Sequence, residues 1–196
     1  MPSRSLRSSR RADIAAAGVR LIAGNGVRAL THRAIDTELG LPAGSTSYYA
    51  RTRKDLVALI VQHLAALTAS DTVNVPLPES IDIPTAASLM AGGLDAMSTR
   101  SADHLARYAL LIEYRDDAEM RAALGGDPPL RPRLVALAAA LLERIGADNP
   151  AALAPDLVTL MDGLLMQRVV KEESPNVEAI VAAYLSGLPR VARPNA

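Results

Sequence analysis

Cysteine, phenylalanine and tryptophan are absent from the 196 residues, and histidine occurs only three times. Without thiols there is no disulfide, no cysteine nucleophile and no cysteine-based zinc site, and a reducing cytoplasm is the expected location. His32, His63 and His104 lie far apart with no i, i+4 pair, so neither a metal site nor a cofactor is expected. No stretch approaches the roughly 20 apolar residues needed to cross a bilayer. No apolar run of signal length follows the charged N-terminus either, so no membrane association is expected. With Phe and Trp missing, the core must be built from Leu, Ile, Val, Met and abundant Ala, which favours closely packed helices. Period-two runs of β-branched residues are also missing, and the chain is expected to be all-α. Hydrophobic content of 49% against 21% charged residues excludes a disordered chain.

The net charge of zero hides two opposite halves. Residues 1–54 hold ten Arg/Lys (Arg4, Arg7, Arg10, Arg11, Arg20, Arg28, Arg33, Arg51, Arg53 and Lys54) against three acids, Asp13, Asp36 and Glu38. The remainder holds eleven Arg/Lys against eighteen Asp/Glu. Only the first part suits a polyanion. A chain of this length accommodates one large core or a small domain fused to a larger one, and the polarity switch favours the second.

The basic part carries a specific pattern. Residues 10–25 read as an amphipathic helix with Ile14, Gly18, Leu21 and Ile22 on one stripe, stopped by Asn25-Gly26. Thr31 is placed to cap a second helix by accepting from the amide of Arg33 or Ala34, with Leu30 and Ile35 in staple positions. Gly40 ends that helix in the left-handed conformation. Residues 42–49 follow, with Gly44, Ser45, Thr46 and Ser47 too weak as helix formers to hold a helix unaided. A capped helix, a glycine turn and a short helix with a small-residue surface have the pattern of a helix-turn-helix, whose second helix enters the major groove.

Thr52 then caps a long helix to about residue 70, with Asp55 in the capping-box position and Leu56, Leu59, Ile60, Leu64 and Leu67 as its stripe. Arg53 and Lys54 in its first turn oppose the helix dipole, which a bound phosphate would reverse. A proline-marked loop at 71–84 leads to helices near 85–99, 103–124, 129–146, 155–173 and 176–188, and the tail from Pro189 is expected to fray. The last two helices have wide apolar faces, serving either their own core or a two-fold bundle.

From Ile14 to Leu56 the chain resembles the DNA-binding domain of the TetR family of transcriptional regulators. The matching residues are Ile14, Ala16, Ala17, Leu21, Ile22 and Gly26, then Thr31 and Ile35, Gly40-Leu41, Gly44 to Ala50 in looser form, and Arg53 with Leu56. Met161-Asp162-Gly163-Leu164-Leu165 is similar to a segment of the family's dimer-forming penultimate helix. The chain departs from the pattern at Asp36, where small Ala is usual, at Pro42 and Ser47, and at Ala50, which replaces a core Phe.

The resemblance implies a helix-turn-helix domain over 1–54 and a helical effector-binding and dimerisation domain over 55–196, with a linking helix at about 53–70. It implies base-edge contacts from Ala43, Gly44, Thr46, Tyr48 and Arg33, and phosphate contacts from Thr31, Ser45, Tyr49, Arg53 and Lys54. It further implies a homodimer through helices 155–173 and 176–188, and a repressor released from palindromic double-stranded DNA by a small-molecule effector. Pocket candidates are His63, Met90, Met97, Tyr108, Leu111, Tyr114, Met161 and Leu165, with Glu113 either an anchor or solvent-facing. The competing classes are a small helical enzyme using His104, Glu113 and Asp162, or a protein-interaction module with a vestigial helix-turn-helix. No nucleophile–base spacing or phosphate loop supports the enzyme, so no enzymatic activity is expected.

Overall fold

The computed structural model describes residues 4–71, 77–125, 130–171 and 173–191. The expected glycine-stopped first helix runs longer at its start, as α1 (Arg4–Asn25), so Arg4 and Arg7 also fall within it. A single 3₁₀ turn, Val27–Ala29, leads into α2 (His32–Glu38), and Thr31 caps α2 as its spacing predicts, its hydroxyl accepting from Ala34 N at 3.0 Å. Gly40 (φ 61°) turns the chain, and α3 (Ser45–Tyr49) follows after Gly44 (φ 89°); both glycines occupy the left-handed region that side chains disfavour. The α4 helix (Arg53–Asp71) opens with a complete capping box: Asp55 N donates to Thr52 Oγ1 and Thr52 N to Asp55 Oδ2, both at 3.0 Å.

Downstream lie α5 (Ile83–Ser98), α6 (Ser101–Glu113), α7 (Ala118–Gly125), α8 (Leu130–Arg144), α9 (Pro150–Val170) and α10 (Val177–Ser186). Three expectations need correction. The single helix expected over 103–124 is two helices. Asp117 breaks it by accepting from Met120 N at 3.0 Å, so the chain restarts with a new N-cap. The helix expected from 155 begins at Pro150, because proline at the first helical position forfeits no hydrogen bond there. The start of the tail is not frayed: Pro189 O accepts from Asp148 N at 2.8 Å and Val191 N donates to Gly146 O at 3.2 Å. Residues 72–76, 126–129 and 192–196, where loop and tail were expected, lie outside the described residues. Among the described residues there is no β-strand, only the isolated bridge Ala147–Arg190. No described helix is long and apolar enough to cross a membrane.

The chain folds as two compact units, one of residues 1–71 with 102–130 and the other of 72–101 with 131–196. In the first, Ile14, Ile22, Leu30, Ile35, Leu56 and Ile60 are fully buried in one core that also takes Leu110, Met120 and Leu124 from α6 and α7. Ala50, where the family has a large Phe, is buried at 2% exposure in the same core. In the second unit, α5 packs against α9 and α10. Leu94, Leu157, Leu165, Val181 and Leu185 are buried there. Most of the apolar stripes of α9 and α10 therefore serve the core of their own unit. The surplus is on their other faces, where Met166 is 45%, Val170 43% and Ile180 38% exposed.

A candidate nucleic-acid interface

Five residues of α3 cannot nucleate a helix from their own propensity, since fixing the first turn costs more than one hydrogen bond returns. The N-cap position is Gly44, which has no side chain with which to cap. The missing group comes from α2. Asp36 Oδ2 accepts from Gly44 N at 2.8 Å, and Asp36 Oδ1 accepts from Thr46 N at 2.8 Å and from the Thr46 hydroxyl at 2.6 Å. Asp36 and Thr46 are both buried, at 3% and 0% exposure. One turn earlier on α2, His32 Nε2 lies 2.8 Å from Ala50 O. A carbonyl only accepts, so this nitrogen carries the proton and donates. Arg11 Nη1 donates to Tyr49 O at 3.2 Å. The short helix is thus held by an anion at its amino end and by donors at its carboxyl end, matching its dipole.

Burial pushes the Asp36 carboxyl up, but hydrogen bonds from the Thr46 hydroxyl and amide and from Gly44 N, with nearby His32, outweigh it and hold the group below its ordinary 3.8. Asp55 is also lowered, by the Thr52 amide and hydroxyl, and Asp82 by the hydroxyl and amide of Thr85. A carboxylate lowered in the folded state contributes stability that is complete above its unfolded value and disappears as pH falls through its folded value. The thermal midpoint should therefore stay level from neutrality to about pH 5 and fall steeply below the ordinary carboxylate range near 4. A midpoint already declining between pH 7 and 5.5 would contradict this origin.

The sequence-expected contacts divide in this setting. Ala43, Gly44 and Tyr48 are exposed, Tyr48 at 63%, and Arg33 is exposed on α2. Ser45 and Tyr49 are half-buried, Ser45 with its hydroxyl donated to Pro42 O and Tyr49 edge-on to Tyr48 at 5.1 Å between ring centroids. Thr46, expected to face base edges, points inward to Asp36 instead, and the exposed residue beside Tyr48 is Ser47, which is not among the expected contacts. The signal for Ser47 lay in the spacing: Gly44, Ser47 and Tyr48 fall at i, i+3 and i+4 on one face. Arg53 is committed elsewhere, its guanidinium donating to Leu30 O and to Val27 O, the latter at 2.9 Å. That fold-back accounts for a cation at the start of α4. Lys54 is exposed, with Nζ 3.8 Å from Glu119 Oε2, a distance at which a solvated pair contributes little. Thr31 is exposed with its hydroxyl engaged as the α2 cap.

The expected ligand-lining residues divide between the units. His63, Tyr108, Leu111 and Tyr114 are half-buried in the first. Met90, Met97 and Met161 are half-buried in the second, where Leu165 is core at 1% exposure. Glu113 is exposed. His104 and Glu113 stand nine positions apart on α6, about 13 Å along the axis at 1.5 Å per residue. That separation rules out direct proton transfer between them. Among the described residues no group of His, Asp and Glu is arranged to hold a metal ion.

The fold defines an all-α protein with a helix-turn-helix pair in its basic leading segment. Residues 82–190 match the family model of the tetracyclin repressor-like C-terminal domain, more than half of the chain. The chain belongs to the TetR family of transcriptional regulators. Its fold is similar to that of the multidrug binding protein EbrR complexed with ethidium, at 24% identity and a TM-score of 0.67 over 93% of this chain and 99% of that one. A TetR-family member from Streptomyces coelicolor A3 is similar at 21% identity and TM-score 0.67, covering 93% and 99%. E. coli NemR in its reduced form is similar at 20% identity and TM-score 0.66, covering 94% and 99%. No curated protein sequence matched the chain significantly.

Proposed function

We propose that this protein is a sequence-specific DNA-binding repressor that works as a two-fold dimer and leaves its operator when a small molecule binds. The observation that carries the reading is the α2–α3 pair: a braced short helix whose Gly44, Ser47 and Tyr48 face is exposed, in a segment where basic residues outnumber acidic ones ten to three. Residues 1–54 supply DNA recognition, residues 55–196 effector binding and pairing, and the helix over 53–70 links the two activities. Arg33, Ala43, Gly44, Ser47 and Tyr48 meet base edges; Thr31, Ser45, Tyr49 and Lys54 lie toward phosphates. Thr46, from the core, and the exposed Arg53, through its bonds to Leu30 O and Val27 O, hold the helices in place.

Pairing through α9 and α10 is supported by the surplus apolar surface of Met166, Val170 and Ile180 and by small residues beside it. A Cβ built on Gly163 would meet nothing within 4 Å, so that face of α9 is open to close backbone approach. EbrR, which shares the fold, is a multidrug binding protein with ethidium and proflavin complexes, which supports a small-molecule effector here. The half-buried Met90, Met97 and Met161 of the second unit are the proposed lining, methionine being able to adapt to varied ligands. The protein binds and releases without chemistry of its own, in the cytoplasm.

An electrophoretic shift with a selected palindromic duplex tests this. Affinity should fall linearly on a log–log plot against salt, with a slope counting the phosphates neutralised. Arg33→Ala should weaken binding about 10- to 100-fold and relax preference at one base pair per half-site, in line with ~1–3 kcal/mol for a bidentate base contact. Equal loss on every duplex would reassign Arg33 to phosphate.

A further inference from the structure

A carboxylate inside a DNA-reading surface works against binding by simple Coulomb repulsion, so Asp36 requires another reason to be there. We propose that Asp36, with His32 one turn before it, is the positioning residue of the recognition helix: it sets α3 in its reading orientation and contributes to sequence discrimination without touching DNA. The inference rests on the regulator reading above and extends it to a residue that no base or phosphate contact would reveal.

Four observations support it. The N-cap of α3 is a glycine in the left-handed region, so no local side chain caps the helix. Both oxygens of Asp36 are used, Oδ2 by Gly44 N and Oδ1 by the amide and hydroxyl of Thr46. Thr46 is fully buried, so its hydroxyl is spent on this bond and unavailable to a base. His32, four residues before Asp36, holds Ala50 O just after the other end of the same helix. One face of α2 thereby fixes both ends of α3, leaving its outward face set in rotation and height. Ser45 N and its hydroxyl also donate to Pro42 O at this end, but that bond closes the preceding turn and leaves the Gly44 and Thr46 amides to Asp36.

The test uses the full-length protein and two duplexes: the one wild-type protein enriches from a random double-stranded library, and a scrambled duplex of equal length and composition. Asp36→Ala should lose tenfold or more of the affinity ratio between them, while affinity for the scrambled duplex holds or rises because a negative charge has gone. Asp36→Asn should fall between. Its carbonyl oxygen can keep both Thr46 bonds, but its amide nitrogen faces Gly44 N–H, donor against donor. Thr46→Ser should retain discrimination and Thr46→Val should lose it, and these two carry the test if Asp36→Ala does not fold. Hydrogen exchange read without DNA should show the Gly44 and Thr46 amides opening at least tenfold faster in Asp36→Asn or Asp36→Ala. Undiminished discrimination in Asp36→Ala, or unchanged exchange at both amides, overturns the assignment. Should wild-type protein enrich no sequence at all, the regulator reading fails and the recognition role of Asp36 falls with it, while the exchange measurement still decides whether the brace exists.

Discussion

Replacing Met166 and Ile180 together by Asp is expected to leave the chain folded but monomeric, and to cut affinity for a palindromic operator by about 10²–10⁴-fold. That range is what linking two binding modules typically adds to one. Both side chains are substantially exposed, at 45% and 38%, so within the chain the substitution places no charge in a core. Leu157, Leu164, Leu165 and Val169 on α9, and Val177, Val181 and Leu185 on α10, are the residues that hold the unit together, and they are left untouched. In the proposed dimer the same patch meets its own copy, so each Asp is placed in the buried interface facing the partner's apolar surface and near a like charge. Sedimentation or light scattering reads the oligomeric state, and circular dichroism confirms the helices. A variant that stays dimeric moves the pairing surface elsewhere.

Gly18→Val is expected to overpack the core of the first unit, destabilising it by about 3 kcal/mol, the upper end for overpacked cores. Glycine in the middle of a helix ordinarily costs stability relative to alanine, so its presence in α1 needs a reason. A Cβ there would lie 2.4 Å from Ile60 Cδ1 and 2.9 Å from Ile60 Cγ1, with Leu30 Cδ1 at 3.4 Å. Here α1 packs closely on α4, and Ile60 of α4 and Leu30 are themselves fully buried. The steric origin is separable from a general effect of the helix. A Cβ added at Gly24, on the same helix, would meet nothing within 4 Å, so Gly24→Ala should stabilise by a few tenths to about 1 kcal/mol. Gly18→Ala should destabilise, and by less when Ile60→Val has already removed the clashing Cδ1. The resulting coupling of about 1 kcal/mol is readable in a double-mutant cycle by denaturant unfolding. Additive effects at 18 and 60 would contradict direct contact.

The parts of this architecture legible from the chain were those fixed by neighbours in sequence. Thr31 reaches an amide three residues on, Gly40 needs only its own backbone freedom, and Thr52 and Asp55 bond to each other across three residues, so spacing alone revealed all three. What stayed hidden depends on contacts between elements. Asp36 stood out as a departure from small Ala, but its partners lie eight and ten residues away on another helix. No periodicity predicts that Thr46 turns inward to meet it. A cation at a helix start, unfavourable for the dipole, points to a phosphate at Arg53, and the sequence does not show its other partners. Val27 O and Leu30 O, which accept from its guanidinium, are brought close only by folding. The break between α6 and α7 was likewise concealed, since the apolar pattern continues across it and a single Asp117 cap decides it. Pro189 to Val191 carry no pattern of their own, which suggests fraying, yet they bond to the segment after α8.

The braced α3 helix is proposed to read duplex DNA as one of a symmetric pair. Selection of full-length protein against a random double-stranded library, followed by sequencing of the bound fraction, tests it most directly. The expected result is an inverted repeat whose half-site centres lie about 34–36 Å, one helical turn, apart, bound by two chains. Recovery of unpatterned sequences at every salt concentration, or of a single unrepeated site bound by one chain, would contradict it.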